Sequence, residues 1–145
     1  MINGDDIEAF ETLYGYWGCD YDTKARVQNM TPMSMVKEFA SETGQNPQPH
    51  LYATLIAEEA DEWRSEYQRD TKEEQLKELA DLVYVIYGFA NAKGWDLDEA
   101  IRRVHVNNVG RCIQPDGTIH RREDGKIIKN PDYPAVNLND LTQEQ

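Results

Sequence analysis

Residues 55–81 read LIAEEADEWRSEYQRDTKEEQLKELAD. This stretch holds two acidic pairs at a spacing of three, Glu59 with Glu62 and Glu78 with Asp81. In a helix, that spacing puts both members of a pair on one face, one turn apart. On a surface helix such acids would face water. Here they fall among the apolar positions, so the stretch reads as two helices that turn carboxylates toward a shared interior.

A helical wheel turning about 100° per residue makes the point for the first helix, expected from His50 to about Arg69. With Leu55 at zero, Leu51 and Tyr52 lie near about −40° and +60°, Ile56 near about +100° and Trp63 near about +80°. Glu59 comes near about +40° and Glu62 near about −20°, both inside this apolar arc. Asp61, Arg64 and Gln68 point away, and Glu58 sits on the edge of the arc. The second helix is expected from Glu73 to about Ala92, after a turn and cap at Asp70-Thr71. Its half Leu82–Ala90 is apolar all round, as in a helix buried on several sides. Glu78 and Asp81 share the face that Val85 continues.

Outward from this pair, Thr31-Pro32 starts a helix with Thr as N-cap and Pro in the first turn, and Gly44 ends it. Met35, Val36 and Phe39 give it a narrow apolar stripe. Residues 45–49, QNPQP, read as a loop. Lys93-Gly94 closes the long helix. Asp96 and Glu99 form a capping-box-like pair for a last helix to about Asn108, with Leu97, Ile101 and Val104 as its inner stripe. Thr118–Arg121 and Lys126–Lys129 alternate like two short strands around the turn Glu123-Asp-Gly125. In the first thirty residues, Asp5 or Asp6 suits the cap of a short helix to about Tyr14, and Gly15 and Gly18 argue for an irregular extension that packs its aromatics on a neighbour. The reading is an all-α antiparallel helical bundle with a small C-terminal β-hairpin. Residues 1–30 form an extension, 31–112 the core, and 113–145 the hairpin and tail.

The chain has 145 residues, enough for one core, and a formal net charge of −12. That charge argues against an extended nucleic-acid partner, whose affinity rests on Lys and Arg. The charge is uneven. Residues 102–129 hold seven Lys/Arg against three Asp/Glu, net +4, and the remainder holds eight against twenty-four, net −16. Cys19 and Cys112, the two cysteines, give neither a disulfide framework nor a zinc spacing and read as buried free thiols in a reducing compartment. The acidic first residues lack a signal peptide's basic and apolar regions, and no apolar run approaches the ~20 residues of a membrane span. A cytoplasmic protein is the expectation.

Inward carboxylates are costly unless paired or bound to a metal. Four of them on two antiparallel helices would repel one another without a cation. Hard ions such as Mg²⁺ or Mn²⁺ take oxygen ligands and suit this supply. A di-iron bundle would call for Glu-x-x-His pairs, and the chain has none.

The arrangement Glu58-Glu59-Ala-Asp-Glu62, then Glu78-Leu-Ala-Asp81, resembles the EExxE…ExxD signature of the MazG-like all-α nucleoside triphosphate pyrophosphohydrolases. That superfamily includes phosphoribosyl-ATP pyrophosphohydrolase. Val104-His-Val-Asn-Asn108-Val-Gly-Arg111 is similar to a family segment usually written H-x-S-N-M-S-K. His105 and Asn108 match it, Asn107 replaces Ser, and Arg111 replaces Lys. The resemblance covers about residues 32–134 and extends into the tail PDGTIHRREDGKIIK, of a kind seen in some phage and bacterial members.

The resemblance implies that Glu59, Glu62, Glu78 and Asp81 ligate Mg²⁺, with Mn²⁺ as the alternative ion. It implies hydrolysis of the α–β phosphoanhydride of a nucleoside triphosphate to monophosphate and pyrophosphate. Glu58, beside the ligands, is the candidate to orient or deprotonate the attacking water. Asn108 and Arg111 are candidates for the substrate's phosphates or base, since Arg pairs with phosphate oxygens bidentately. Trp63 and Tyr84 suit base stacking or core packing. The basic hairpin residues Arg121, Arg122, Lys126 and Lys129 read as a solvated face, a phosphate-steering patch or a subunit contact. A homo-oligomer, dimer or tetramer, is expected, with no nucleic-acid and no membrane partner. The alternatives are a phosphoribosyl-ATP hydrolysing enzyme and a non-enzymatic acidic helical module that binds a protein.

Overall fold

In a computed structural model, residues 21–45, 48–69 and 71–143 can be described. The helix expected before Tyr14, the aromatic run up to Trp17, and Cys19 fall outside these residues. The described elements are helices α1 (Tyr21–Gln28), α2 (Pro32–Thr43), α3 (Pro49–Tyr67), α4 (Lys72–Lys93) and α5 (Leu97–Cys112), then strands β1 (His120–Arg121) and β2 (Ile127–Ile128), and a 3₁₀ turn at Asn139–Leu141. The all-α bundle with a C-terminal hairpin is therefore present. Helix α1 was not separated by sequence from the irregular extension. Its few apolar residues make no stripe strong enough to stand out beside the neighbouring glycines.

Local chemistry sets the helix ends. The Thr31 hydroxyl accepts the Ser34 amide at 3.2 Å, and Gly44 takes the left-handed conformation that terminates α2. Asp96 Oδ1 accepts the Glu99 amide at 3.1 Å. The reciprocal half of that capping box does not form, because the Glu99 carboxylate is taken by Arg102 and Arg103. Thr71 does not cap α4 with its side chain. Its hydroxyl instead donates to Glu66 Oε2 at 2.8 Å, which ties the end of α3 to the start of α4.

The short connection folds α4 back along α3, and this antiparallel pair forms the largest helix interface. Helix α2 packs on α4. Met33, Val36, Tyr87 and Ala90 make the core, with Leu97 of α5 against it. The close approach of α3 and α4 depends on Gly88, because the ring of Tyr52 fills the space a Cβ there would need.

Two expectations about burial are corrected. Within Leu82–Ala90, Tyr87, Gly88 and Ala90 are buried, but Val83, Tyr84 and Ile86 are exposed. A single chain covers only part of the helix circumference. Ile101, expected on an inner stripe, is also exposed. The reason is that α5 packs chiefly on α2 near its own start. The rest of α5 serves the tail. Helix α5 runs one turn past Asn108, and the Arg111 carbonyl at its end accepts the Asn130 amide at 2.7 Å. Arg103 holds Asp140 through two bonds, of 2.6 and 3.0 Å, and Asn107 donates to the Pro134 carbonyl at 2.8 Å. Tyr133 occupies the space left by the missing side chain of Gly110. The hairpin pairs His120 with Ile128 and Arg121 with Ile127, antiparallel, around the positive-φ Gly125. Cys112 is a free, half-buried thiol. No described helix is long and apolar enough to cross a membrane.

Candidate metal centre

Helix α3 carries Glu59 and Glu62, and α4 carries Glu78 and Asp81. The antiparallel pairing brings them to one place. Carboxylate oxygens of Glu59, Glu78 and Asp81 lie within 4.8 Å of one another. Glu78 is buried, Glu59 and Asp81 are half-buried, and Glu62 is exposed. The arc placed Glu62 inward with the other three, but it is exposed at the end of the cluster's helix face, outside the three converging carboxylates. Its charge acts on the Glu59 carboxyl, and it helps to line an open cleft of ≈ 390 Å³ with Asp61, Ser65, Glu66, Arg69 and Glu78. Asp61, which the wheel turned away, therefore stands on the cleft wall.

The electrostatics are those of crowded like charges. Burial, then the neighbouring charges of Glu62 and Asp81, push the Glu59 carboxyl up to about 7, with the charge of Glu78 adding to the rise. Glu59 Oε2 and Glu78 Oε2 are buried with no hydrogen-bond partner. A carboxylate oxygen in that condition costs free energy unless a cation or proton meets it. The donors are all carboxylate oxygens, the set preferred by hard divalent ions. These residues fit such an ion.

Lys77 was missed by the sequence reading. Its Nζ lies 2.9 Å from Asp81 Oδ2 and 3.4 Å from Glu78 Oε1. Its place four residues before Asp81 was the available signal.

The other candidates are spread out. Glu58 is exposed on α3 and does not line the cleft. Asn108 and Arg111 lie on α5, outside both the acid cluster and the cleft lining. Asn108 is exposed and accepts from Lys129 Nζ at 3.4 Å. Arg111 is half-buried, and its Nε is buried without a partner. Trp63 stacks on Tyr67, and Tyr84 meets Phe39 edge-on, so both rings have partners in the helices. In the hairpin, Arg122 pairs with Asp124 at 2.6 Å, and Arg121 donates to the Gly125 carbonyl at 3.0 Å.

A family model described as phosphoribosyl-ATP pyrophosphohydrolase matches residues 24–108. The matched span includes all four acids and Lys77 and ends at Asn108, before Arg111. No curated protein matches the chain.

Proposed function

Because the chain belongs to the phosphoribosyl-ATP pyrophosphohydrolase family, whose members split pyrophosphate from nucleotide-like substrates, we propose that it hydrolyses the α–β phosphoanhydride of ribo- or deoxynucleoside triphosphates. The products are nucleoside monophosphate and pyrophosphate. One observation carries this reading: Glu59, Glu78 and Asp81 converge within 4.8 Å, and two of their buried oxygens lack a partner.

In this reading Glu59, Glu62, Glu78 and Asp81 hold Mg²⁺, with Mn²⁺ as the alternative. When bound, the ion supplies Lewis acidity toward phosphoryl oxygens and offsets the charge of the polyphosphate. The chain's own residues do the rest. Glu58, exposed on α3 and next to Glu59 in the chain, orients a water and takes its proton as the water attacks phosphorus. The bridging oxygen leaves with pyrophosphate. Arg111 and Asn108 hold phosphate oxygens or the base. The residues 31–112 make the catalytic core, 1–30 an extension, and 113–145 the hairpin and tail.

The same reading makes the chain a homo-oligomer. Leu76, Leu79, Val83 and Ile86 recur at alternating steps of three and four on α4, and all are exposed. That is the pattern of a helix seam that takes a partner helix. Asn108 and Arg111 belong to neither the acid cluster nor its cleft within one chain, so in this reading they serve the site across a subunit boundary.

A second reading, favoured by the family match, takes phosphoribosyl-ATP as the substrate. Pyrophosphate release from a panel of nucleoside triphosphates and phosphoribosyl-ATP, with and without Mg²⁺, separates the two. Turnover of triphosphates supports the first, and turnover of phosphoribosyl-ATP alone replaces it with the second. No metal-dependent release from any of them sinks both.

A further inference from the structure

Lys77 is mostly exposed, with 61% of its side chain accessible, yet its ammonium lies over the acid cluster. Two features set it apart from an ordinary surface ion pair. Sequence neighbours on a helix do not face each other, so Lys77 bends over to meet Glu78 Oε1 at 3.4 Å. A lysine placed before its acid at a spacing of four is also the orientation that helps a helix less. Helix stability alone is thus a weak account of the contact.

The division of the oxygens is more informative. Glu78 gives Oε1 to Lys77, while its Oε2 is buried and unpartnered. Asp81 gives Oδ2 to the same ammonium at 2.9 Å. Glu59 Oε2, across the helix pair, is likewise buried and unpartnered. Lys77 thus occupies one oxygen of each α4 acid, and the other oxygen of Glu78 stays buried and unpartnered.

We propose that Lys77 is a positioning residue of the metal centre. It holds one oxygen of Glu78 and one of Asp81, so that the other oxygen of each carboxylate is oriented to serve as a ligand. Partners of this kind orient ligands and tune affinity without touching the ion. The inference rests on the reading that the four acids hold a divalent cation. The opposite role, a lysine that occupies the site and must leave on metal binding, makes the opposite prediction.

The test is Mn²⁺ binding to the full chain by titration calorimetry, with no nucleotide present. Lys77→Met is expected to weaken Mn²⁺ binding about threefold to tenfold, the low end of such effects because the lysine is exposed. Lys77→Arg, which keeps the charge and the donors, is expected to restore affinity to within about twofold of wild type. Unchanged or tighter binding by Lys77→Met overturns the proposal. Circular dichroism checks the fold, and Lys77→Gln replaces Lys77→Met should that variant not fold. Glu78→Gln separates the two levels of the argument. Loss of binding in Glu78→Gln with wild-type affinity in Lys77→Met overturns only the role of Lys77. No Mn²⁺ binding by the wild type, or none lost in Glu78→Gln, overturns the metal reading itself and the role of Lys77 with it.

Discussion

The ring of Tyr52 on α3 fills the space that a side chain at Gly88 on α4 would need. This contact sets a register. Seven residues on from Tyr52 comes Glu59, and seven back from Gly88 comes Asp81; ten in each direction give Glu62 and Glu78. The close helix contact and the acid cluster are thus successive rungs of one antiparallel pair. Gly88→Val is expected to lower unfolding stability by about 1–3 kcal/mol, the usual cost of overpacking. It is also expected to weaken divalent-ion binding, because the rungs move together. Denaturant unfolding and Mn²⁺ titration measure the two effects.

Neutralising one ligand is expected to move stability and activity in opposite directions. Glu59→Gln removes a member of a crowded acid group, so the metal-free protein should melt at a higher temperature than wild type. Metal-dependent pyrophosphate release should fall by at least about 100-fold, a loss of about 2.7 kcal/mol or more in transition-state stabilisation. Asp81→Asn should behave alike in activity. A variant that keeps wild-type turnover would remove Glu59 from the site.

The raised Glu59 carboxyl gives a pH dependence with a definite sign. Its folded-state value of about 7 exceeds the ordinary 4.5. Between these values the folded state binds the extra proton, so stability falls as pH rises through that window. The metal-free protein is expected to lose stability on this account between about pH 4.5 and 7. In Glu59→Gln this component of the slope should be absent. Melting temperatures across that range, in chelator, provide the check.

The tail is held to α5 by polar contacts, above all Arg103 with Asp140. That pairing keeps the Asp140 carboxyl below its usual range, through the hydrogen bonds first. Its contribution is therefore present at neutral pH and is lost as pH falls through the lowered value. Asp140→Asn, or Gly110→Val, which would displace Tyr133, is expected to speed amide exchange in residues 113–143. Exchange in the α3–α4 pair should stay as in wild type. Hydrogen exchange read by mass spectrometry resolves the two regions.

The exposed seam on α4 predicts assembly. Val83→Glu places a charge at its centre and is expected to shift the protein to a smaller species in sedimentation. Wild-type sedimentation of the Val83→Glu variant would rule out this face as the contact.

Much of the fold was legible because its determinants are local. Thr31, Gly44, Gly94 and Asp96 act on backbone groups within a few residues, so their roles can be read from order alone. The helical wheel likewise put Glu59 inside an apolar arc, since helix periodicity fixes angles without any partner, whereas Glu62, placed in the same arc, is exposed. Other features depend on who lies opposite. Val83, Ile86 and Ile101 are apolar and were expected inside, but one chain does not cover them. Thr71 had the right identity for a cap, yet a carboxylate at the end of α3 took its hydroxyl.

The sequence by itself determined which segments become helices, where they stop, and which face of each carries the acids, because these follow from backbone capping and a fixed period of rotation. Only the tertiary structure decided that Tyr52 seats against Gly88, that Glu59, Glu78 and Asp81 meet, and that Lys77 takes one oxygen each of Glu78 and Asp81 while Oε2 of Glu59 and of Glu78 stays unpartnered. It also kept Asn108 and Arg111 on a helix that packs elsewhere. These are distances between segments far apart in the chain, set by packing and charge, and no local pattern encodes them.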